Sequence, residues 1–170
     1  MHKMYDLYLS LGCRTLPDLE ALTQKVPMLA DPALHTRILK RSPGPGFLGL
    51  DLPDTIAVSL LQRLKSAKAS GCRLPSAYRL PLISIEQAAP MAEQAMGELK
   101  AARLPYDTLG PVRFLREQPT CWTFGAVSEQ LVKEGRIPGV LHACVDKLDG
   151  HLWTREEFDR LWGEQEGKHA

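Results

Sequence analysis

The sequence lacks the features that mark several large classes of protein. It has no apolar run near the roughly 18 residues that a membrane-spanning helix needs. Residues 1–6 lack the apolar core of a secretory signal peptide. The four cysteines lie far apart without a CxxC pair, which is typical of free thiols. These absences predict a cytoplasmic protein with no membrane contact.

Local signatures of catalysis and cofactor binding are also missing. The glycine-containing stretch 42–46 includes two prolines, which lack backbone donors, and no Gly-Lys-Ser/Thr follows it. It therefore predicts a turn rather than a phosphate site. No local pattern selects a Cys–His pair, and the acidic residues form no paired motif. We expect no catalytic residues, no cofactor and no enzymatic activity.

Three residues of metal-ligand type occur close together near the C-terminal end: His142, Cys144 and His151. Alternate residues of a strand share a face, so His142 and Cys144 would point the same way. A closed zinc site needs four ligands, and no clear fourth is present. A polar hairpin explains the group better, and no metal site is predicted.

The first 86 residues show patterns that alternate between strand and helix. Residues 5–11 alternate apolar and polar side chains, as a half-buried strand does. Asp51 and Pro53 would open a helix whose buried stripe contains Ile56, Leu60, Leu61 and Leu64. The predicted order is β-α-β-α-β, with strands at 5–11, 35–40 and 73–85 and helices at 15–26 and 51–71. A connecting helix and linker follow at 87–110.

Residues 125–162 carry the longest continuous pattern. Phe124, Val127 and Leu131 recur at helical spacing, and two runs typical of strands follow, at 140–145 and 151–153. The Asp149-Gly150 pair between those runs indicates a hairpin turn. Thr154 and Glu157 have capping-box spacing before a last helix, whose buried stripe would contain Phe158, Leu161 and Trp162.

Two segments of this pattern resemble the winged helix-turn-helix of excisionase and MerR type. They are the turn at 133–139, KEGRIPG, and the helix entry at 152–159, LWTREEFD. The resemblance implies that the helix before the turn enters the DNA major groove while the hairpin wing touches the backbone. It also implies a winged-helix-like domain at 111–164. The composition of the last residues separately predicts a disordered tail at 165–170. The fold class predicted for the whole chain is α+β.

Charge is distributed unevenly. Residues 35–79 hold eight basic and two acidic side chains, a net charge of +6, whereas residues 111–160 hold seven basic and eight acidic ones. Phosphate neutralisation dominates DNA affinity. Any DNA binding is therefore expected to need the basic N-terminal segment as well as the winged-helix-like one.

Two functional hypotheses follow. In the first, the chain binds nucleic acid, and the contacts are made by Lys133, Arg136, Lys147, Lys65, Lys68 and Arg63. In the second, it is a protein–protein adaptor or inhibitor that keeps the same scaffold without binding DNA. The patterns leave the oligomeric state open.

Overall fold

The computed structural model describes residues 3–9, 32–33, 44, 46–67, 69–103 and 108–163. The chain divides into two compact units. The first contains Met1–Leu80 together with Arg155–Ala170, and the second contains Pro81–Thr154. The first unit is therefore discontinuous, because its last segment follows the second unit along the chain.

The first unit contains a three-stranded antiparallel sheet. Its strands are β1 (Met4–Leu9), β2 (Phe47–Pro53) and β3 (Gly71–Pro75), in the order β2-β1-β3. Helix α1 (Asp54–Ser66) connects β2 to β3. Both outer strands run antiparallel to β1, so β2 and β3 are parallel to each other and need the helical crossover. The unit is a split β-α-β arrangement with β1 in the centre.

Burial in the first unit follows the periodicity of its elements. Leu7 and Leu9 are alternate residues of β1, and both are buried. Leu60 and Leu64 of α1 pack into the same core at helical spacing. The predicted stripe is therefore confirmed at these two leucines, whereas Ile56 is 42% exposed.

Strand β2 follows the predicted turn at 42–46 and extends into the first three residues of the helix predicted from Asp51. The helix expected from Asp51 begins at Asp54, after β2 ends. Leu48 and Leu50 explain the difference, because both are buried in the sheet core rather than on a helix face. The helix predicted at 15–26 and the strand predicted at 35–40 lie outside the described residues.

A buried carboxylate shapes the end of β3. Asp6 accepts hydrogen bonds from the backbone nitrogens of Leu50 and Asp51 at 2.9 and 3.0 Å. It also accepts from Ser76 Oγ at 3.2 Å and from Arg79 Nη2 at 2.8 Å. These contacts hold a short 3-10 helix at Ser76–Arg79, so the strand predicted over 73–85 ends at Pro75.

Helix α4 (Arg155–Gly163) belongs to the first unit. It begins directly after Thr154, as the capping pattern predicts. Leu161 and Trp162 pack beside the buried residues Phe47, Cys72 and Leu74, and Trp162 meets Tyr8 edge-on at 6.2 Å between ring centroids. The predicted domain at 111–164 groups this helix with the preceding strands, whereas the structure groups it with the first sheet.

The second unit has its own antiparallel sheet, in the order β4-β5-β6. The strands are β4 (Arg113–Glu117), β5 (Cys121–Val127) and β6 (Val140–Asp146). Helix α2 (Ile85–Arg103) packs on one face, and the short helix α3 (Glu129–Lys133) connects β5 to β6. The core between α2 and the sheet contains Ala88, Ala92, Met96, Phe124, Ala143 and Val145.

This unit confirms the α+β class but not a winged-helix arrangement. Phe124 and Val127 lie on β5 rather than on the predicted helix, because Phe124 pairs with Ala143 and packs against α2. The helix that remains, α3, has five residues and starts after Ser128, whose side chain accepts from Leu131 N. Among the described residues, no helix combines the length and apolarity needed to cross a membrane.

Candidate functional site

The hairpin turn after β6 is fixed by Asp146. Its Oδ1 accepts from the backbone nitrogens of Leu148 and Asp149 at 2.7 and 3.2 Å, and its Oδ2 accepts from Trp153 Nε1 at 2.7 Å. Gly150 closes the turn with φ at 78°. Leu152 then bridges back to Val145, so the predicted hairpin is confirmed.

The three candidate metal ligands do not form one group. His142 is exposed, and Cys144 is buried on the same strand. His151 instead places Nδ1 at 2.6 Å from Asp149 Oδ1 and stacks on Trp153. The Asp149 pKa is lowered, first by the hydrogen bond from the His151 backbone N–H and then by the imidazole.

A different set of possible ligands lies closer together. Ligand atoms of Asp146, Asp149 and His151 are all within 4.8 Å of one another. Both oxygens of Asp146 already accept hydrogen bonds that hold the turn. Turn formation therefore accounts for this arrangement, and we assign it no metal.

Lys147 does not occupy an exposed wing tip. Its side chain is 4% exposed, and its ammonium lies 2.7 Å from Glu117 Oε1. The same ammonium stands over the Trp122 ring at 4.4 Å from the centroid. A phosphate contact would require this lysine to leave its carboxylate and its aromatic partner, so the structure gives no support to its predicted DNA role.

Lys133 and Arg136 are exposed but have acidic neighbours. Lys133 Nζ lies 3.8 Å from Glu129, and Arg136 Nε lies 3.6 Å from Glu134. Their side chains are 79% and 72% exposed, so these pairs are weak in water. The end of the second unit around α3 therefore presents balanced charge.

The other predicted basic contacts belong to the first unit. Arg63 and Lys65 are exposed in the last turn of α1. Lys68 lies outside the described residues. The structure thus brings Lys133 and Arg136 together near α3, and Arg63 and Lys65 together on α1.

Exposed apolar side chains surround α3 and form what we call the α3 patch: Leu115, Val127, Val132 and Ile137. Ile137 is 95% exposed, and Val132 and Val127 are 52% and 51% exposed. Val127 pairs with Val140. The side chains of Val140 and Leu115 cover Gly125, because a Cβ added there would clash with both. Val132 likewise covers Gly139, the residue immediately before β6. Val127 and Val132 therefore lie near the adjoining ends of β5 and β6.

The face of the sheet opposite α2 contains a pair of cysteines. Cys121 on β5 is opposite Asp146, and Thr123 is opposite Cys144 on β6, so the two thiols are diagonal neighbours. The two thiols interact, and this interaction lowers the pKa of Cys144. Thr123 and the charge of Arg116 lower it further, while burial opposes them. The same interaction raises the Cys121 pKa.

A groove lies where α2 meets the edge of β6. It has a volume of about 380 Å³ and is open to solvent. Ala95, Leu99 and Ala102 line it from α2, while Ala143 of β6 and Leu152 line its other side. The proximity of Cys121 to Cys144 was not predicted from the sequence, because no strand was expected at 121–127. Alternation in that segment, with Trp122, Phe124 and Ala126 on one face, was the available signal.

No family model, curated protein or solved structure matches the chain. The function of the chain is therefore inferred from the geometry of the described residues.

Proposed function

We propose that the chain is a non-enzymatic regulatory module that binds another protein through the α3 patch. The observation that carries this proposal is the exposure of Ile137, at 95%, in the loop that joins α3 to β6, together with the half-exposed Val127 and Val132. Contiguous exposed apolar side chains with a polar rim are typical of protein interaction sites. The partner would present aliphatic side chains of its own.

Charge around the patch favours a protein partner over nucleic acid. Its rim carries two cations, Lys133 and Arg136, and two anions, Glu129 and Glu134. A phosphate backbone would be repelled by the carboxylates about as much as it is attracted by the cations. A neutral apolar surface would meet no such opposition, and association would depend weakly on salt.

The test places a photo-crosslinking amino acid at Ile137 and, as a matched control, at Asp149. Asp149 is exposed in the turn at the other end of β6. We expect a protein partner to crosslink at position 137 and not at position 149. The partner is then purified, and its dissociation constant for the full chain is measured at about 50 and 200 mM salt, a range over which DNA binders lose orders of magnitude.

The variant Ile137→Glu should weaken this binding by at least about tenfold, because it puts a charge into an apolar contact. The salt increase should change the affinity only a few-fold. Unchanged binding by Ile137→Glu would overturn the proposal. So would a steep salt dependence, or a crosslink formed only to a second copy of the chain.

Nucleic-acid binding is a second candidate, favoured by the exposed Arg63 and Lys65 on α1. Each phosphate contact adds close to one unit to the slope of log affinity against log salt. An electrophoretic shift with generic duplex DNA at low and moderate salt tests it. The double variant Arg63→Glu, Lys65→Glu should abolish the shift, whereas Lys147→Met should leave it intact because Lys147 is buried. Absence of any shift by the intact chain would reject this candidate.

A further inference from the structure

Strand β6 is at one edge of its sheet, and part of that edge is unpaired. Trp153 N donates to the backbone oxygen of Cys144 at 2.8 Å. Asp146 N donates to the backbone oxygen of His151, also at 2.8 Å. Alternate residues of β6 therefore direct their backbone groups away from β5, and His142 follows the same alternation because the register has no bulge. The His142 N–H and C=O thus point outward, and they have no partner among the described residues.

The groove beside α2 runs along this unpaired edge. Three consecutive residues of β6 line it: His142, Ala143 and Cys144. Ala143 belongs to the face that packs on α2, so the side chains of its two neighbours point to the other face. The surface that all three share is the backbone edge of the strand. Leu99 and Ala102 of α2 add an apolar wall beside it.

We propose that this groove binds an extended peptide segment of another protein, which joins the three-stranded sheet as a fourth strand beside β6. In this mode of recognition, main-chain hydrogen bonds to the strand edge supply affinity, and pockets for alternate side chains supply specificity. The groove shares no lining residue with the α3 patch, so this proposal and the proposed function can fail separately.

The opposite edge of the same sheet is protected against strand addition, whereas the edge of β6 is not. Strand β4 carries Arg113, Arg116 and Glu117, and its register on β5 is irregular between Phe114 and Arg116. Charged side chains and bulges are the usual means of blocking an exposed strand edge. Residues 140–145 of β6 contain no lysine, arginine, aspartate or glutamate, and their register is regular. The edge of β6 is therefore suited to pairing.

The wall formed by α2 determines the chemistry of the partner segment. In an antiparallel pair, residues directly opposite each other share a face. The peptide residue opposite His142 therefore points away from α2, and its two neighbours point toward α2, where Ala95 and Ala102 leave room for aliphatic side chains.

Glu98 gives the groove its charge. It is exposed, its Oε1 accepts from Gln94 Nε2 at 3.0 Å, and the described lining residues include no lysine or arginine. A lysine or arginine of the partner segment would complement this carboxylate. The segment is therefore expected to alternate, with aliphatic side chains and one basic side chain on the face toward α2.

The probe is a fluorescein-labelled heptapeptide, TVTVTKT, whose two valines and lysine all lie on one face of an extended chain. Fluorescence anisotropy measures its dissociation constant for the full chain, and nitrogen-15 NMR locates the contact. We expect saturable binding with a dissociation constant below about 1 mM, the weak end of the affinity scale. The backbone amide of His142 should be among the signals that shift most.

Two N-methylated forms of the peptide test for backbone pairing. Methylation of the third and fifth residues blocks the N–H groups that would face β6, and it should weaken binding at least about tenfold. Methylation of the second and fourth residues blocks N–H groups on the outer side, and it should leave binding within about twofold of the parent. The two peptides have the same composition, so they are matched controls.

Two variants at His142 test the same hydrogen bond from the side of the protein. His142→Pro removes the outward N–H, and an edge strand tolerates proline at such a position because no ladder bond is lost. It should weaken binding at least about tenfold, whereas His142→Ala keeps the N–H and should bind as the parent does. The far-ultraviolet circular dichroism of both variants checks that the sheet is intact.

Substitutions on α2 test the wall of the groove. Ala102→Trp should block binding, while Ala101→Trp is the matched control because Ala101 is exposed on the same helix but does not line the groove. The parent should prefer TVTVTKT to TVTVTET at least about threefold, since lysine meets Glu98. Glu98→Lys should reverse that preference.

Four results would overturn the proposal. The first is the absence of saturable binding by TVTVTKT below about 1 mM. The second is equal affinity of the two methylated peptides, and the third is equal affinity of His142→Pro and His142→Ala. The fourth is a monomer–dimer equilibrium, seen by sedimentation, that His142→Pro abolishes, because it would assign this edge to a second copy of the chain.

Discussion

The ammonium of Lys147 stands 4.4 Å from the centroid of the Trp122 ring. Trp122 is itself fixed, because its Nε1 donates to the backbone oxygen of Ile83 at 2.8 Å. The backbone oxygen of Lys147 accepts from the nitrogens of both Leu82 and Ile83. Lys147 therefore joins the turn after β6 to the segment that precedes α2, and it is a structural residue of the second unit.

Replacing Lys147 with alanine should destabilise the chain by about 1–3 kcal/mol, because both the cation–π contact and the packing of the buried stem are lost. Lys147→Met keeps most of the stem and should recover part of that loss. Urea unfolding followed by tryptophan fluorescence measures both variants. Full stability of Lys147→Ala would contradict a structural role.

Alanine variants at Gly139 and Gly135 separate the stability lost to backbone strain from the stability lost to a packing clash. Both have positive φ, at 67° and 74°. An added Cβ at Gly139 would lie 2.6 Å from Val132 Cγ2, whereas at Gly135 nothing lies within 4 Å. Each alanine variant should lose about 1 kcal/mol from the left-handed backbone.

Gly139→Ala should lose about 1–2 kcal/mol more than Gly135→Ala, because Val132 must move. Thermal unfolding of the two variants side by side gives the difference. Equal losses would mean that α3 does not pack on the start of β6.

Asp149 should titrate below its ordinary value of about 3.9. Its folded pKa is lowered, so the associated stability is present above the unfolded pKa and is lost as pH falls through the folded value. The effect on stability should be small because this carboxylate is exposed. Carboxyl-carbon NMR of the titration measures the shift directly.

His151→Ala should retain most of this pKa shift. The backbone N–H of residue 151 is the largest cause of it, and that group survives the substitution. Asp149 returning to its ordinary pKa in this variant would show instead that the imidazole is responsible.

Local periodicity was enough to predict β1 and α1, because the buried side chains of each recur at the spacing of its own secondary structure. Alternation marked β1, and the spacing of Leu60 and Leu64 marked α1. The interval from Phe124 to Leu131 also fits a helix, yet β5 ends at Val127. Cross-strand pairing with β6 and packing against α2 outweighed helical spacing there, and neither is visible in a local window.

The candidate sites depended still more on tertiary structure. Exposed Lys133 and Arg136 could be predicted from sequence, but the burial of Lys147 required the position of Trp122. The diagonal placement of Cys121 and Cys144 required the register of β5 on β6. Strand register is set by packing on both faces, so a single sequence specifies it poorly.

The split sheet of the first unit also bears on how the chain folds as it is synthesised. Strand β1 is made first, but its partners are β2 and β3, so it emerges without either neighbour. Helix α4, which packs beside β3, is made only after the whole second unit. The second unit is continuous in sequence and can fold on the ribosome as one block. The first unit therefore completes its fold after the second unit. Until then its apolar strands are unpaired and prone to aggregation.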